Sequence, residues 1–318
     1  MTGASGLLGS NLALEYSSNC TVFGLVNRHL LETDRFIVLQ GDLLGENVLE
    51  GVINRVQPWA VIHCAGLTRI DDCERNPEKA YHLNAEVPGR VAEITAQQKV
   101  KLLHISTATV FDGKSGHYTE EDIPHPLSVY AKSKLEGERS VLARNPDALI
   151  ARVSMFGWSP SGERSLAEFF FNHLQRKRRV TGFTDVMFCP LFVNHLAPIF
   201  WRFLEGDFRG LYHVVGTDCV SKYKFGYLIA EKFGFDPQLI QPGSVEEMDL
   251  LGARSHDLRL DNRKMMEDLH LDPPKLSTGL EEFYTLYQQG YPQFMRGMFE
   301  SSAVSKRVDN GGIPRSSA

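Results

Sequence analysis

Tyr130 and Lys134 stand four residues apart in VYAKSK, and this YxxxK pair is the first feature of the sequence able to do chemistry. On a helix, residues i and i+4 share a face, so a phenol and an ammonium there reach one substrate together. A phenol titrates near pH ~10, and a neighbouring ammonium favours phenolate, which moves Tyr130 toward acid–base work. Such a pair arises by chance about once in a chain of this size, so its surroundings decide its meaning. It follows HISTATVFDG (104–113), in which Ser106 and Thr107 end an apolar run. In open α/β sheets that carboxyl edge is where ligands bind.

A second cluster opens the chain. MTGASGLLGSN carries Gly3, Gly6 and Gly9 in GxxGxxG spacing, followed by the apolar helical stripe Leu7, Leu8 and Leu12. Glycines let a backbone turn tightly against a pyrophosphate, and the helix behind them offers free N–H groups and a positive dipole end. Gly3, Ser5, Gly6, Leu7 and Gly9 are therefore the expected phosphate loop. Only Met1 and Thr2 stand ahead of Gly3, so the central strand that normally feeds such a loop has no residues of its own. The expectation is a late start or a fragment, with a gap, a distortion at Thr2 or a borrowed strand in that slot. On this reading the 318-residue form is prone to aggregate, and about six to eight upstream residues, an ordinary strand length, restore its solubility.

The elements that must position these residues are legible as alternation. CTVFGLV (20–26), FIVL (36–39), WAVIHCAG (59–66), VKLLHIST (100–107), ALIARVS (148–154) and GLYHVVG (210–216) are short, continuous apolar runs. Parallel strands buried on both faces read this way. Helical segments lie between them, one opening at Asn76–Pro77 and another covering about 128–144. Pro88 falls inside a helical pattern and predicts a kink. Ser165 and Glu168 have capping-box spacing ahead of an apolar helix. The fold class is thus α/β, a Rossmann-type doubly wound parallel sheet whose first strand is missing, with a smaller C-terminal substrate-binding domain. Residues 1–157 form the dinucleotide-binding domain, with a segment near 186–222 returning to it. Residues 158–185 and 223–300 form the substrate-binding domain, and 301–318 a disordered tail.

Composition is that of a globular protein, with 42% hydrophobic and 23% charged residues. A net charge of −5 gives no basic face for nucleic acid or an anionic membrane. Five scattered cysteines without a CxxC argue against a disulfide framework and a zinc site, so no metal is expected. There is no apolar run long enough to span a bilayer and no basic-then-apolar leader, which makes the cytoplasm the expected compartment.

TGASGLLGSN, CAGLTRIDDCERNPEKAYHLNA, STATVFDG, VYAKSKLEGE and GLYHVVG together resemble the extended short-chain dehydrogenase/reductases, within them the dTDP-4-dehydrorhamnose reductase (RmlD-like) family. The resemblance covers Thr2 to about Tyr291. It implies that Thr107 polarises a substrate carbonyl, that Tyr130 gives it a proton, and that Lys134 holds the nicotinamide ribose and tunes Tyr130. It also implies that Asp42 and Leu43 contact adenine. Cys64, Ala65 and Gly66 end a strand where small residues leave room for ribose and nicotinamide, with Cys64 a small hydrophobe rather than a redox group. RVSMFGW (152–158) is one residue shorter than the rhamnose-pathway form, and the segment 165–197, which belongs to the sugar site, matches no defined sugar. The basic run 176–179 reads as a solvated helix end, with a grip on a substrate diphosphate as its alternative.

The cofactor is read from VNRH. An NAD enzyme usually carries an acid there for the ribose 2′-hydroxyl; this chain has Asn27, then Arg28, which can pair with a 2′-phosphate. NADP(H) is therefore expected ahead of NAD(H). The leading function is an NADPH-dependent reductase of a 4-keto nucleotide sugar, with a homodimer as the expected assembly. An NAD-retaining sugar-nucleotide epimerase or dehydratase is a second reading, weakened by Asn27–Arg28 and by Thr107-Ala108-Thr109, where related dehydratases carry an acidic pair. A third is a non-catalytic regulatory subunit, because the β subunit of methionine adenosyltransferase resembles the same family.

Overall fold

The computed structural model describes residues 1–45 and 47–299, so the tail expected over 301–318 lies outside the described residues. Five strands, β1 (Phe23–Val26), β2 (Ile37–Gln40), β3 (Ala60–His63), β4 (Lys101–Thr107) and β5 (Leu149–Val153), and the returning strand Gly210–Val214 occupy the six apolar runs. All their pairings are parallel, β2 on β1 and then β3, β4, β5 and Gly210–Val214 in order. Each strand turns alternate side chains to two separate cores. Val26, Ile62, Leu103 and Leu149 face one; Leu25, Val61, Leu102 and Ile150 face the other. Burial on both faces is why these strands read as continuous apolar runs.

The two halves of the sheet meet at a single residue. Thr2 bridges Leu25 of β1 and His63 of β3, both in parallel sense. Thr2 N–H donates to the Ile62 carbonyl at 3.0 Å, and Leu25 N–H donates to the Met1 carbonyl at 2.8 Å. Thr2 thus takes the central strand's place at its carboxyl end. On the amino side of Thr2, a cavity of about 310 Å³ lies between β1 and β3, walled by Tyr16, Val22, Trp59 and Trp201 among others.

Helices α1 (Leu7–Tyr16), α2 (Val48–Val56), α3 (Ile70–Arg75), α4 (Pro77–Tyr81), α5 (Val87–Gln97) and α6 (Val129–Arg144) cover the sheet, and α7 (Leu166–Gln175) follows β5. The kink expected at Pro88 takes the form of a π turn over His82–Glu86, which runs directly into α5. Proline has no N–H to return to the carbonyl of Asn84, and a wide turn accommodates that loss. Gly137 of α6 packs against the freed carbonyl, since a Cβ there would lie 2.1 Å from the Asn84 oxygen. The capping box at Ser165 and Glu168 is present.

Beyond β5 lie short pairings, among them Met187–Phe188 with Val220–Ser221 and with Asp257–Leu258. One corrects the cysteine reading. Val220 sits opposite Phe188 in antiparallel register, which brings the next pair out, Cys219 and Cys189, together as a disulfide. Thirty residues separate them in sequence, so no spacing rule exposed the bridge. Among the described residues no helix is long and apolar enough to cross a membrane, and no cluster of three or more His, Cys, Asp or Glu is placed to hold a metal ion.

Candidate active site

A cleft of about 450 Å³ runs along the carboxyl edge of the sheet. Its lining includes Gly3, Ser5, Gly6, Leu7, Gly9, Asp42, Leu43, Cys64, Ala65, Gly66, Thr107, Tyr130 and Lys134. Residues from Gly3 to Lys134 are thereby brought to one surface.

The phosphate loop owes its shape to two close approaches. Gly3 has φ +66°, and a Cβ on it would lie 2.7 Å from the Ala65 nitrogen. A Cβ on Gly9 would fall 2.3 Å from the Gly3 carbonyl oxygen. These contacts let the loop fold back on itself and the helix pack on the sheet. No side chain caps α1 at Gly6, and the N–H groups of a first helical turn have no intrahelical acceptor. The loop and the open helix end fit an anionic diphosphate such as a dinucleotide carries.

Tyr130 and Lys134 sit in the first two turns of α6. Ser128 Oγ accepts from Ala131 N–H at 3.2 Å, and Glu74 at the end of α3 accepts from Val129 N–H at 2.8 Å, which fixes the start of the helix. Thr107 ends β4, and its Oγ1 lies 3.1 Å from Thr109 Oγ1. Ser106 also lines the cleft, with its hydroxyl donating to Glu138 at 2.5 Å.

The electrostatics modify the expectation from sequence. Burial pushes the Tyr130 phenol up to about 12, with the Thr107 hydroxyl acting in the opposite direction. The expected drift toward phenolate is absent because Lys134 is directed elsewhere: its Nζ donates to the Ile105 carbonyl at 2.6 Å and approaches His104 Nε2 at 3.4 Å. Tyr130 is consequently protonated at neutral pH, the form that donates. Burial lowers Lys134 to about 8, opposed by Glu138 and Cys64. Beneath it, His104 stacks on His63 with ring centroids 5.4 Å apart. Burial and the Lys134 charge hold both imidazoles neutral, His63 at about 3 and His104 well below its usual range. Burial also raises the Cys64 thiol to about 12, which suits a small apolar wall.

At the far end of the cleft the wall after β1 is made by Asn27 and His29, and Arg164 closes it from the loop before α7. Arg28 is exposed on the same turn and lies outside the lining. The basic run 176–179 is exposed at the end of α7, the solvated alternative of its two readings. Sequence reasoning missed His29, His104, Met155 and Arg164. No local pattern marks them; only the three-dimensional path of the loops brings His29, Met155 and Arg164 to the cleft.

The sequence matches the RmlD substrate binding domain family over residues 1–289. The chain belongs to that family. Among its relatives, a probable low-salt glycan biosynthesis reductase of Haloferax volcanii is 31% identical over 88% of this chain and 95% of its own length. The methionine adenosyltransferase 2 subunit beta of Pongo abelii is 30% identical over 83% of this chain and 80% of its own. A dTDP-4-dehydrorhamnose reductase from Bacillus anthracis, solved in complex with NADP, shares the fold with a TM-score of 0.78. It is 24% identical and covers 89% of this chain and 97% of that one.

Proposed function

We propose that this chain is an NADPH-dependent reductase of a 4-keto nucleotide sugar. The observation that carries the reading is the meeting of Thr107, Tyr130 and Lys134 in one cleft with the glycine loop and the open end of α1. When bound, the cofactor supplies the hydride. Thr107 donates a hydrogen bond from its hydroxyl, which keeps its proton, to the substrate carbonyl and orients it. Tyr130, neutral across the physiological range, gives its phenolic proton to the same oxygen as the carbonyl carbon is reduced. Lys134, freed from Ile105, holds the ribose hydroxyls and compensates the phenolate left behind. The deciding experiment is NADPH oxidation by the purified chain against a panel of 4-keto nucleotide sugars. Absence of turnover with every member of the panel removes the reading.

The kinship with methionine adenosyltransferase subunits supports a second reading, an NADP-binding regulatory subunit. Stable co-purification with a synthetase, without turnover by the isolated chain, selects it. The epimerase or dehydratase reading has less support, since Asn27–Arg28 follow β1 in place of an acid and Ala108–Thr109 follow Thr107 where related dehydratases carry an acidic pair.

A further inference from the structure

The loop between β5 and α7 is wound around one buried carboxylate. Glu168 accepts from Ser159 N–H at 2.6 Å, from Ser159 Oγ, from Arg164 N–H at 2.8 Å and from Ser165 N–H at 3.1 Å. Ser165 Oγ in turn donates to the Gly157 carbonyl at 2.7 Å. The backbone of Arg164 is thus fixed, while its side chain leaves toward the cleft and joins Asn27 and His29 in the lining. Glu168 is spent on neutral donors, and among the described residues Arg164 forms no ion pair.

We propose that Arg164 binds the 2′-phosphate on the adenosine ribose of NADPH and sets the preference for NADPH over NADH. The proposal rests on the NADPH reading above and assigns a residue to it. Three observations carry it. The residues that follow the second strand of such a sheet, here Asn27 to His29 after β1, are where the adenosine ribose lies. Asn27 brings no negative charge to repel a phosphate. Arg164 and Arg28 approach His29 from two different loops, and after burial their charges are what hold its imidazole below the usual range. A guanidinium without a carboxylate partner in a cleft is a charge awaiting an anion, and a planar fork matches a phosphate with two hydrogen bonds. The pyrophosphate is served separately by the glycine loop and α1. NADH would offer Arg164 only neutral hydroxyls, so the contact discriminates.

The test is a fluorescence titration of NADPH and NADH into the wild type, Arg164→Ala and Arg164→Lys, repeated with adenosine 2′,5′-bisphosphate and AMP as displacing probes. The wild type is expected to prefer NADPH. Arg164→Ala should weaken NADPH by about tenfold or more and leave NADH within about twofold. Arg164→Lys should retain part of the preference, and all three proteins should melt alike without cofactor because the Glu168 contacts are to backbone. An equal loss for both cofactors overturns the assignment, since Arg164 then serves the pyrophosphate or the loop. Unchanged preference in Arg164→Ala also overturns it while leaving the NADPH reading in place. A wild type that binds both cofactors equally removes both.

Discussion

Glu138 holds Arg152 through two hydrogen bonds, Nε to Oε1 at 2.9 Å and Nη2 to Oε2 at 2.7 Å, with both side chains buried. The same carboxylate accepts from Ser106. One acid therefore ties α6, β4 and β5 together, one turn beyond Lys134 and one residue before Thr107. Arg152 also lies over the Phe111 ring, 5.0 Å from its centroid. A pair of this kind fixes geometry more than it adds net stability, because desolvation offsets most of its attraction. Breaking one side is another matter. Glu138→Gln leaves a buried guanidinium without its counter-charge and should destabilise the fold by about 3–5 kcal/mol, read as a lowered denaturation midpoint. A loss below about 1 kcal/mol would mean that water reaches Arg152.

Tyr130→Phe tests the proton donor. The variant should keep its fold and bind NADPH as the wild type does, while turnover falls by at least about 10²-fold. Near-normal kcat with the same substrate would take Tyr130 out of the mechanism.

The pH profile belongs to Lys134. Its pKa is lowered to about 8, so the free protein loses this charge as pH rises through that value, well before an ordinary lysine would. If the charge is needed, kcat/KM should be flat below pH ~7 and fall above pH ~8. Tyr130, at about 12, contributes no limb in this window. Glu138 supports the charged lysine, so any active Glu138→Gln protein should show the limb at lower pH. Lys134→Met should impair cofactor affinity and turnover together. A rise in sugar KM alone would assign Lys134 another role.

Arg28 stands on the exposed turn after β1. Arg28→Ala should weaken NADPH by about tenfold and spare NADH, if the guanidinium swings onto the 2′-phosphate. Parallel titrations with both cofactors settle it, and equal losses would point to a structural role.

The sheet was legible because burial on both faces writes itself as uninterrupted runs such as VKLLHIST, and each of the six runs became a strand. Tyr130 and Lys134 were legible because helix geometry alone puts i and i+4 side by side. Thr2 was not, since one residue carries no periodicity; its place is set by the edges of β1 and β3. Cys189 and Cys219 meet through the register of two two-residue strands, below the length at which a pattern can be seen. Arg164 reaches the cleft through a loop shaped by a carboxylate four residues later. The Tyr130 phenol was misjudged from sequence because the i+4 rule places Lys134 nearby but not its ammonium, which the Ile105 carbonyl captures.

Gly9 separates shape from charge at the phosphate loop. In a helix interior, replacing glycine by alanine ordinarily stabilises by about 1 kcal/mol. Here the new methyl would lie 2.3 Å from the Gly3 carbonyl oxygen and 2.9 Å from the Ala4 Cα, both parts of the backbone and unable to swing aside. Overpacking of this kind costs about 1–3 kcal/mol, so the clash outweighs the helical gain. Gly9→Ala should therefore lower the melting temperature and push the loop off the pyrophosphate. NADPH and NADH should weaken by the same factor, unlike the selective loss expected at Arg28 and Arg164. The measurement is the same pair of titrations with a thermal melt. A Gly9→Ala protein that melts higher than the wild type and binds both cofactors normally would show that the loop yields, and that the close approach of α1 to Gly3 is not what shapes the site.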